Sequence, residues 1–491
     1  MGDSSVIATV GRFAVTEGDL LRSFEAAPAF VRRDSAPLQK HLEYMMDERL
    51  LALAADSLGF SQSGFVKERV SALEEDLAVD ELYKADILSH VRLGEREIEA
   101  NMQKAVRNVR YRWIFAPERR HADALLASIR SGAPFDSLFQ RELAGSSVAD
   151  RTAESTQLRL EWDTPNIASA LGKLRKRGVS PVLEGNDGFY IVSLDEVWQN
   201  PLRTETEMSM IRGEAIRIGT QIKADARAGG YVKSKMRQAN PVLKAGGFNI
   251  LRAFVAEKGL SRDTRVRWAI PATFMTEAGP QPIAASSKFL NRPLVTFGKR
   301  TLTVSDYTRW FDLRQFQLKT HSLSAFNSSV KQTVWRMVQD KLLIEEAYRR
   351  GFQTVDTVRH ETAIWEAKFL YLAGRAHVLK SASVDESHLR SLYDERKKQF
   401  RRESQNIPTF ESVKEEMRAE ALGEQEGILL LQALEILKAR YPVVVNKERL
   451  SQLSRTSTQD RQAIDMIIYK PGGTFPRVAF PTIDEAWSRL Q

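Results

Sequence analysis

The side chains best suited to acid–base chemistry near neutral pH are seven histidines: His41, His90, His121, His321, His360, His377 and His388. An imidazole acts as general base or metal ligand only with a partner at hydrogen-bond or ligand spacing. His121 is the only one between residues 106 and 200, and no second histidine stands at ligand spacing to it, so a solvent-facing or capping role is expected. The chain has no cysteine, which excludes disulfides, thiol catalysis and cysteine-based metal sites. Ser, Asp and Glu are plentiful, yet no G-x-S-x-G motif, phosphate loop or paired-carboxylate signature appears. No cofactor, metal or ATP site is implied.

The elements that would position any site follow from a repeat. VIATVGRFAVTEGDLLRSFEA and PLVTFGKRTLTVSDYTRWFDL, roughly 290 residues apart, share one pattern. Each has a β-rich run, a glycine (Gly11, Gly298), then Thr16 or Thr303 with Asp19 or Asp306 three positions on. That Thr-x-x-Asp spacing predicts a capping box opening a helix. A second helix follows in each copy. Leu38, Leu42, Met45, Met46 and Leu50 align with Val330, Val334, Met337, Val338 and Leu342 as one apolar stripe. Both helices end at Gly-Phe, where glycine takes the left-handed conformation after the last turn. The period is far longer than a solenoid repeat and points to duplication of a module.

The length of 491 residues suits about three domains. With 43% hydrophobic and 27% charged residues, the chain is a globular one able to form cores. The net charge of +9 favours anionic surroundings, but the basic residues are dispersed and form no nucleic-acid-binding module. No apolar run reaches membrane-span length, and the N-terminus lacks an apolar signal region.

The expected fold class is mainly α with one inserted α+β domain. Residues 1–105 form the first helical module, with helices near 16–27, 35–58, 63–90 and 94–105. Residues 106–200 alternate as β-α-α-β-α-β, with strands expected at 109–115, 158–162 and 188–194. Residues 201–240 form a helix closing the first copy, and 241–292, rich in Gly, Pro and Ala, a linker. Residues 293–450 hold the second module, including a helix at 410–440 and a short strand at 443–445, and 451–491 an irregular tail. The second copy passes between its helices by a short linker at 401–408, so the α+β unit is read as an insertion.

In this order the motifs resemble the SurA/PpiD-type parvulin chaperones. ATVGRFAVTEGDL and TFGKRTLTVSDY resemble the family's opening, and MMDERLLALAADSLGF and MVQDKLLIEEAYRRGF its next helix. ESHLRSLYDERKKQF and the 410–446 segment resemble its closing elements. Within residues 106–200, YRWIF, SGAPFDSL, LEW, RGVSPV and DGFYIV fall where parvulin domains carry similar motifs. The two family histidine positions are Trp113 and Tyr190 here. Prolyl isomerisation faces a barrier of about 18–20 kcal/mol and needs accurately placed polar groups. Losing both histidines implies a kept scaffold with its chemistry dropped.

The resemblance implies an ATP-independent periplasmic holdase for unfolded polypeptides, such as outer-membrane proteins, with a degenerate parvulin-type prolyl isomerase domain. Peripheral membrane association and oligomeric state are left open, and no nucleic-acid partner is implied. An active isomerase with an atypical site, or a structural subunit of an envelope assembly, are the alternatives. The client-binding candidates are Trp113, Trp162, Phe189 and Tyr190. Trp113 and Tyr190 either line a client groove or fill the small domain's core, while Trp162 is expected in the core. Trp310, Phe311, Phe316 and Trp335 are expected mostly in the core of the second module.

Overall fold

A computed structural model describes residues 5–143, 145–185, 188–199, 204–276, 279–282, 287–314, 316–403, 408–456 and 478–490. The chain is mainly helical, with small antiparallel sheets. Strands β1 (Val6–Val10) and β2 (Phe13–Thr16) lead into α1 (Glu17–Glu25), α2 (Pro37–Ser57), α3 (Gly64–Asp86) and α4 (Glu95–Val106). Next come β3 (Arg107–Ala116), α5 (Arg119–Arg130), α6 (Phe135–Arg141) and β4 (Thr152–Thr156). They are followed by α7 (Gln157–Asp163), α8 (Pro165–Leu171), β5 (Leu183–Glu184) and β6 (Phe189–Gln199). Then follow α9 (Glu205–Ala239), β7 (Val242–Leu243), α10 (Ala245–Gly259), β8 (Pro293–Phe297) and β9 (Arg300–Thr303). The second half continues with α11 (Val304–Arg314), α12 (Leu323–Arg349), α13 (Asp356–Leu379) and α14 (Glu386–Glu403). It ends with α15 (Phe410–Arg440), β10 (Val443–Val445) and α16 (Lys447–Thr456), before the segment 478–490.

The two Thr-x-x-Asp motifs act alike. Asp19 N–H donates to Thr16 Oγ1 at 3.2 Å, and Thr16 N–H to Asp19 Oδ2 at 3.2 Å. Asp306 N–H donates to Thr303 Oγ1 at 3.2 Å, and Thr303 N–H to Asp306 Oδ2 at 2.8 Å. Gly59 and Gly351 follow α2 and α12 with φ of 81° and 77°, the left-handed region expected there.

Two compact units divide the chain. The first gathers the described residues up to Ala78 and from Gly351 onward; the second runs from Val79 to Arg350. Each hairpin takes its third strand from sequence that follows the other hairpin. In the first unit the sheet order is β10-β1-β2, with Ala8 opposite Val445. In the second it is β9-β8-β7, with Val295 opposite Leu243. The strand after α9 therefore pairs with the second hairpin rather than the first.

The first unit's core forms where α2 meets the hairpin, α13 and α15. Leu38, Leu42, Met46, Leu50 and Leu51 pack with Ala367, Leu370, Tyr371, Leu430 and Leu434. Close approach of α13 to α2 depends on Gly374: a Cβ there would stand 2.6 Å from the Leu51 carbonyl oxygen. Helix propensity favours alanine by about 1 kcal/mol, while overpacking costs about 1–3 kcal/mol. Gly374→Ala is expected to lower the urea midpoint of the chain. A raised midpoint would contradict the contact.

Four expectations change. Residues 245–259 are not linker but helix α10, with Ile250, Leu251, Val255 and Ala256 buried beside β8. The glycines that suggested a linker have a packing role: a Cβ at Gly247 would meet the Pro293 carbonyl oxygen at 2.1 Å. Residues 158–162 form helix α7, not a strand. Thr156 caps it, accepting from Arg159 N–H at 3.3 Å. The alternation of Leu158, Leu160 and Trp162 arises because α7 is buried on two sides: Leu158 and Trp162 in one cluster, Leu160 in another. Part of the expected C-terminal tail is core, since Ile483 and Trp487 are buried in the first unit; residues 457–477 of that tail lie outside the described residues. Finally, Val334 and Val338 are buried as are Leu42, Met46 and Leu50, but Leu342 is half-buried, its stripe continuing through Leu343.

Candidate functional site

The sheet of residues 107–199 has the order β4-β3-β6-β5, all antiparallel. Its register places Tyr111 opposite Leu194, Trp113 opposite Val192 and Phe115 opposite Tyr190. Directly opposite residues share a face, and alternate residues along a strand do too. Tyr111, Trp113, Phe115 and Tyr190 therefore lie on one face. The rings of Tyr111 and Trp113 stand 5.8 Å apart and those of Phe115 and Tyr190 5.4 Å. Trp113, Phe115 and Tyr190 are each half-buried, and the Arg151 guanidinium lies 5.4 Å above the Phe115 ring. Half-buried rings beside a cation offer area for apolar and aromatic contact.

Phe189 and Trp162 do not join this group. Phe189 points to the opposite face, among Ile114, Ile191 and Leu125. Trp162 is buried against α4 and α9 with Ala105, Ala215 and Ile218, and its Nε1–H donates to Asp225 Oδ2 at 3.3 Å. His121 is exposed on α5, where Nε2 lies 2.8 Å from Glu142 Oε2; this bond and Arg141 help hold the Glu142 carboxyl below its ordinary range, against a larger opposing effect of burial. On the Phe189 face Arg112 bonds Asp195 at 2.7 and 2.9 Å. Asp195 sits at a break in the β3–β6 register between Arg110 and Tyr111, and such bulges re-aim side chains. Arg112 also reaches Asp136 at 2.8 Å, tying α6 to the sheet.

A concave feature elsewhere escaped sequence reasoning. In the first unit a cavity of about 1040 Å³ opens over α2, with Phe24, Leu38, Leu42, Met46, Val443 and Val445 in its lining. Asp47 and Lys438, also in the lining, pair at 2.7 Å. Burial pushes the Asp47 carboxyl up despite this lysine. The second unit has a smaller cavity of about 360 Å³ between α10 and α11, lined by Phe254, Tyr307, Phe311 and Phe316 among others. Trp310 is buried there and donates to Asp340 Oδ2 at 3.0 Å, and Phe311, Phe316 and Trp335 pack on the same core.

Among the described residues, no three or more His, Cys, Asp or Glu side chains stand together as a metal site, and no helix is long and apolar enough to cross a membrane. No family model matches the chain, and no curated protein matches it. Solved structures similar to parts of it include foldases. The foldase protein PrsA from Streptococcus pneumoniae is 14% identical, covering 43% of this chain and 85% of its own, at a TM-score of 0.21. PrsA from Bacillus subtilis is 16% identical over 48% of this chain and 94% of its own, with a TM-score of 0.18. The peptidylprolyl isomerase PrsA from Bacillus cereus is 13% identical over 47% of this chain and 93% of its own, with a TM-score of 0.22. Overlaps this loose transfer no residue role to the chain.

Proposed function

We propose that this chain is an ATP-independent holdase of the cell envelope, built from two copies of one helical module with a parvulin-like unit inserted, and that the unit no longer isomerises proline. The observation that carries the reading is the row of half-buried rings Trp113, Phe115 and Tyr190 on one sheet face. The two positions that the family resemblance assigns to histidine are there an indole and a phenol. Such a face holds an extended segment by contact area and offers no imidazole to the twisting amide. Unfolded outer-membrane proteins are the client class the resemblance suggests. The net charge of +9 adds long-range attraction for acidic segments, which salt weakens.

Two assays on the full chain test this. Added in slight excess, it should delay aggregation of a urea-unfolded outer-membrane protein on dilution, without nucleotide. In a protease-coupled assay, Xaa-Pro peptides should isomerise at their uncatalysed rate, with a time constant of about 10–100 s at 25 °C. Marked acceleration that disappears in Trp113→Ala and Tyr190→Ala would instead establish an isomerase with an atypical site.

A further inference from the structure

Among the described residues strand β10 is an edge: the sheet order β10-β1-β2 leaves one side of it without a neighbouring strand. Its hydrogen-bond phase follows from one bond. Asn446 N–H donates to the Ile7 carbonyl at 2.8 Å, so Asn446 and Ile7 form a bonded pair. In an antiparallel ladder bonded and non-bonded pairs alternate. Val444, opposite Thr9, therefore turns its main-chain groups toward β1, while Val443 and Val445 turn theirs to the open side. No described residue hydrogen-bonds those outward groups. The side chains of the same two residues line the 1040 Å³ cavity above Leu38, Leu42 and Met46. Open main-chain donors and acceptors and an apolar floor thus border one space.

The charges there set what the space accepts. Asp47 and Lys438 neutralise each other at 2.7 Å, and Glu43 pairs with Lys40 at 3.4 Å. Residues seated over the floor must therefore be uncharged. Lys447 also lines the cavity, two positions from Val445, and has no ion-pair partner among the described residues. It supplies a counter-charge for a carboxylate at one end of the occupant. In the second unit Lys244 N–H bonds the Leu294 carbonyl at 2.8 Å, which gives β7 the same phase. There α10 packs down on β8 at Gly247, and the 360 Å³ cavity has no β7 residue in its lining.

We infer that the groove of the first unit takes an extended, apolar polypeptide segment flanked by an acidic residue, added as a fourth strand beside β10 through the main chain of Val443 and Val445. Strand addition draws affinity from the main chain and selectivity from alternate side chains. This fits a protein that holds many sequences, and the inference deepens the holding role proposed above and rests on it.

The test uses the full chain and a fluorescein-labelled peptide of about eight residues, alternating valine and threonine with a terminal aspartate, roughly 27 Å when extended. Binding is read by anisotropy. Methylating one alternate set of amide nitrogens should weaken binding about tenfold, the size expected for two lost main-chain hydrogen bonds, while methylating the other set leaves it unchanged. Val445→Pro removes an outward N–H from an edge strand, where proline is tolerated, and should weaken the parent peptide similarly. Lys447→Glu should weaken the aspartate peptide and favour one ending in lysine. Equal affinity for both methylated peptides overturns the inference. So does a concentration-dependent dimer that the peptide fails to dissociate, which would make a second copy the occupant. If Val445→Pro does not fold, the methylated pair on the unaltered chain decides. A chain that delays aggregation yet treats both methylated peptides alike keeps the holding role and loses this site; the reverse pattern keeps the site and loses the role.

Discussion

Replacing Trp487 with alanine should destabilise the chain by about 3–5 kcal/mol, the cost typical of deleting a buried indole. Trp487 is 2% exposed and stacks between Tyr44 and Tyr371, at ring distances of 5.6 and 6.0 Å. Its Nε1–H donates to Glu48 Oε1 at 3.2 Å, and Glu48 also receives the Asp484 N–H at 2.8 Å and Lys368 Nζ at 2.7 and 2.8 Å. Tyr371 O–H in turn donates to Asp484 Oδ2 at 3.0 Å. The C-terminal segment thus closes a core made by α2 from the start of the chain and α13 from its second half. Removing the indole opens a cavity and takes a donor from a buried carboxylate, two costs of the same sign. Thermal unfolding followed by circular dichroism should shift down by on the order of 10 °C. Trp487→Phe keeps most of the packing and should lose only a fraction of that. A shift of under about 2 °C for the alanine variant, within the ordinary range of surface changes, would mean that the segment does not clasp the core.

What was legible in the sequence was local. The capping boxes at Thr16 and Thr303 need only four consecutive residues, and both formed. The helix from Glu205 to Ala239 and that from Phe410 to Arg440 match their expected spans, because long periodic segments carry many votes for one answer. The partners of the third strands were not legible, although the strand at 443–445 was. Val445 pairs with Ala8 across more than four hundred residues, and three valines in a row carry no address. Helix α7 was misread because burial on two sides imitates the period of a strand. Trp487 looked like part of a tail because its partners, Tyr44 and Tyr371, are remote in sequence.

The candidate site divides the same way. Trp113 and Tyr190 were legible as candidates, but that they share a face follows from the β3–β6 pairing, which the sequence does not specify. The resemblance named Phe189 and Trp162 alongside them, but Phe189 has the opposite parity to Tyr190 and Trp162 lies on a helix. The groove over α2 left no sequence signal, since its walls come from residues 24–47 and 438–451. Its lining residues Leu42 and Met46 were read correctly as an apolar stripe. The remote strand that makes part of that stripe a groove floor was invisible.

The second large effect is a dependence on pH centred on His41. This imidazole is fully buried, with Nε2 2.9 Å from Ser23 Oγ and the Phe24 ring 5.5 Å away. Burial, helped by the nearby positive charges of Lys368 and Arg32, lowers its pKa from the ordinary 6.5 to about 4. Between those values the unfolded chain binds a proton that the folded chain refuses. Stability is therefore intact above about pH 6.5 and falls as pH drops toward 4, by about 3 kcal/mol when fully developed. Carboxylates held below their usual range, such as Asp19, where the bonds from His360 and Thr16 together outweigh the larger single opposing effect of burial, also lose stabilisation on acidification, but at lower pH and equally in a His41 variant. His41→Gln retains a hydrogen-bonding group for Ser23 without a titration in this window. Midpoints of urea unfolding for the two proteins should be compared from pH 7.5 down to 4.5. The parent should lose more stability than the variant, with the difference opening below pH 6.5. Parallel profiles would show that His41 takes its proton in the folded state as readily as in the unfolded one.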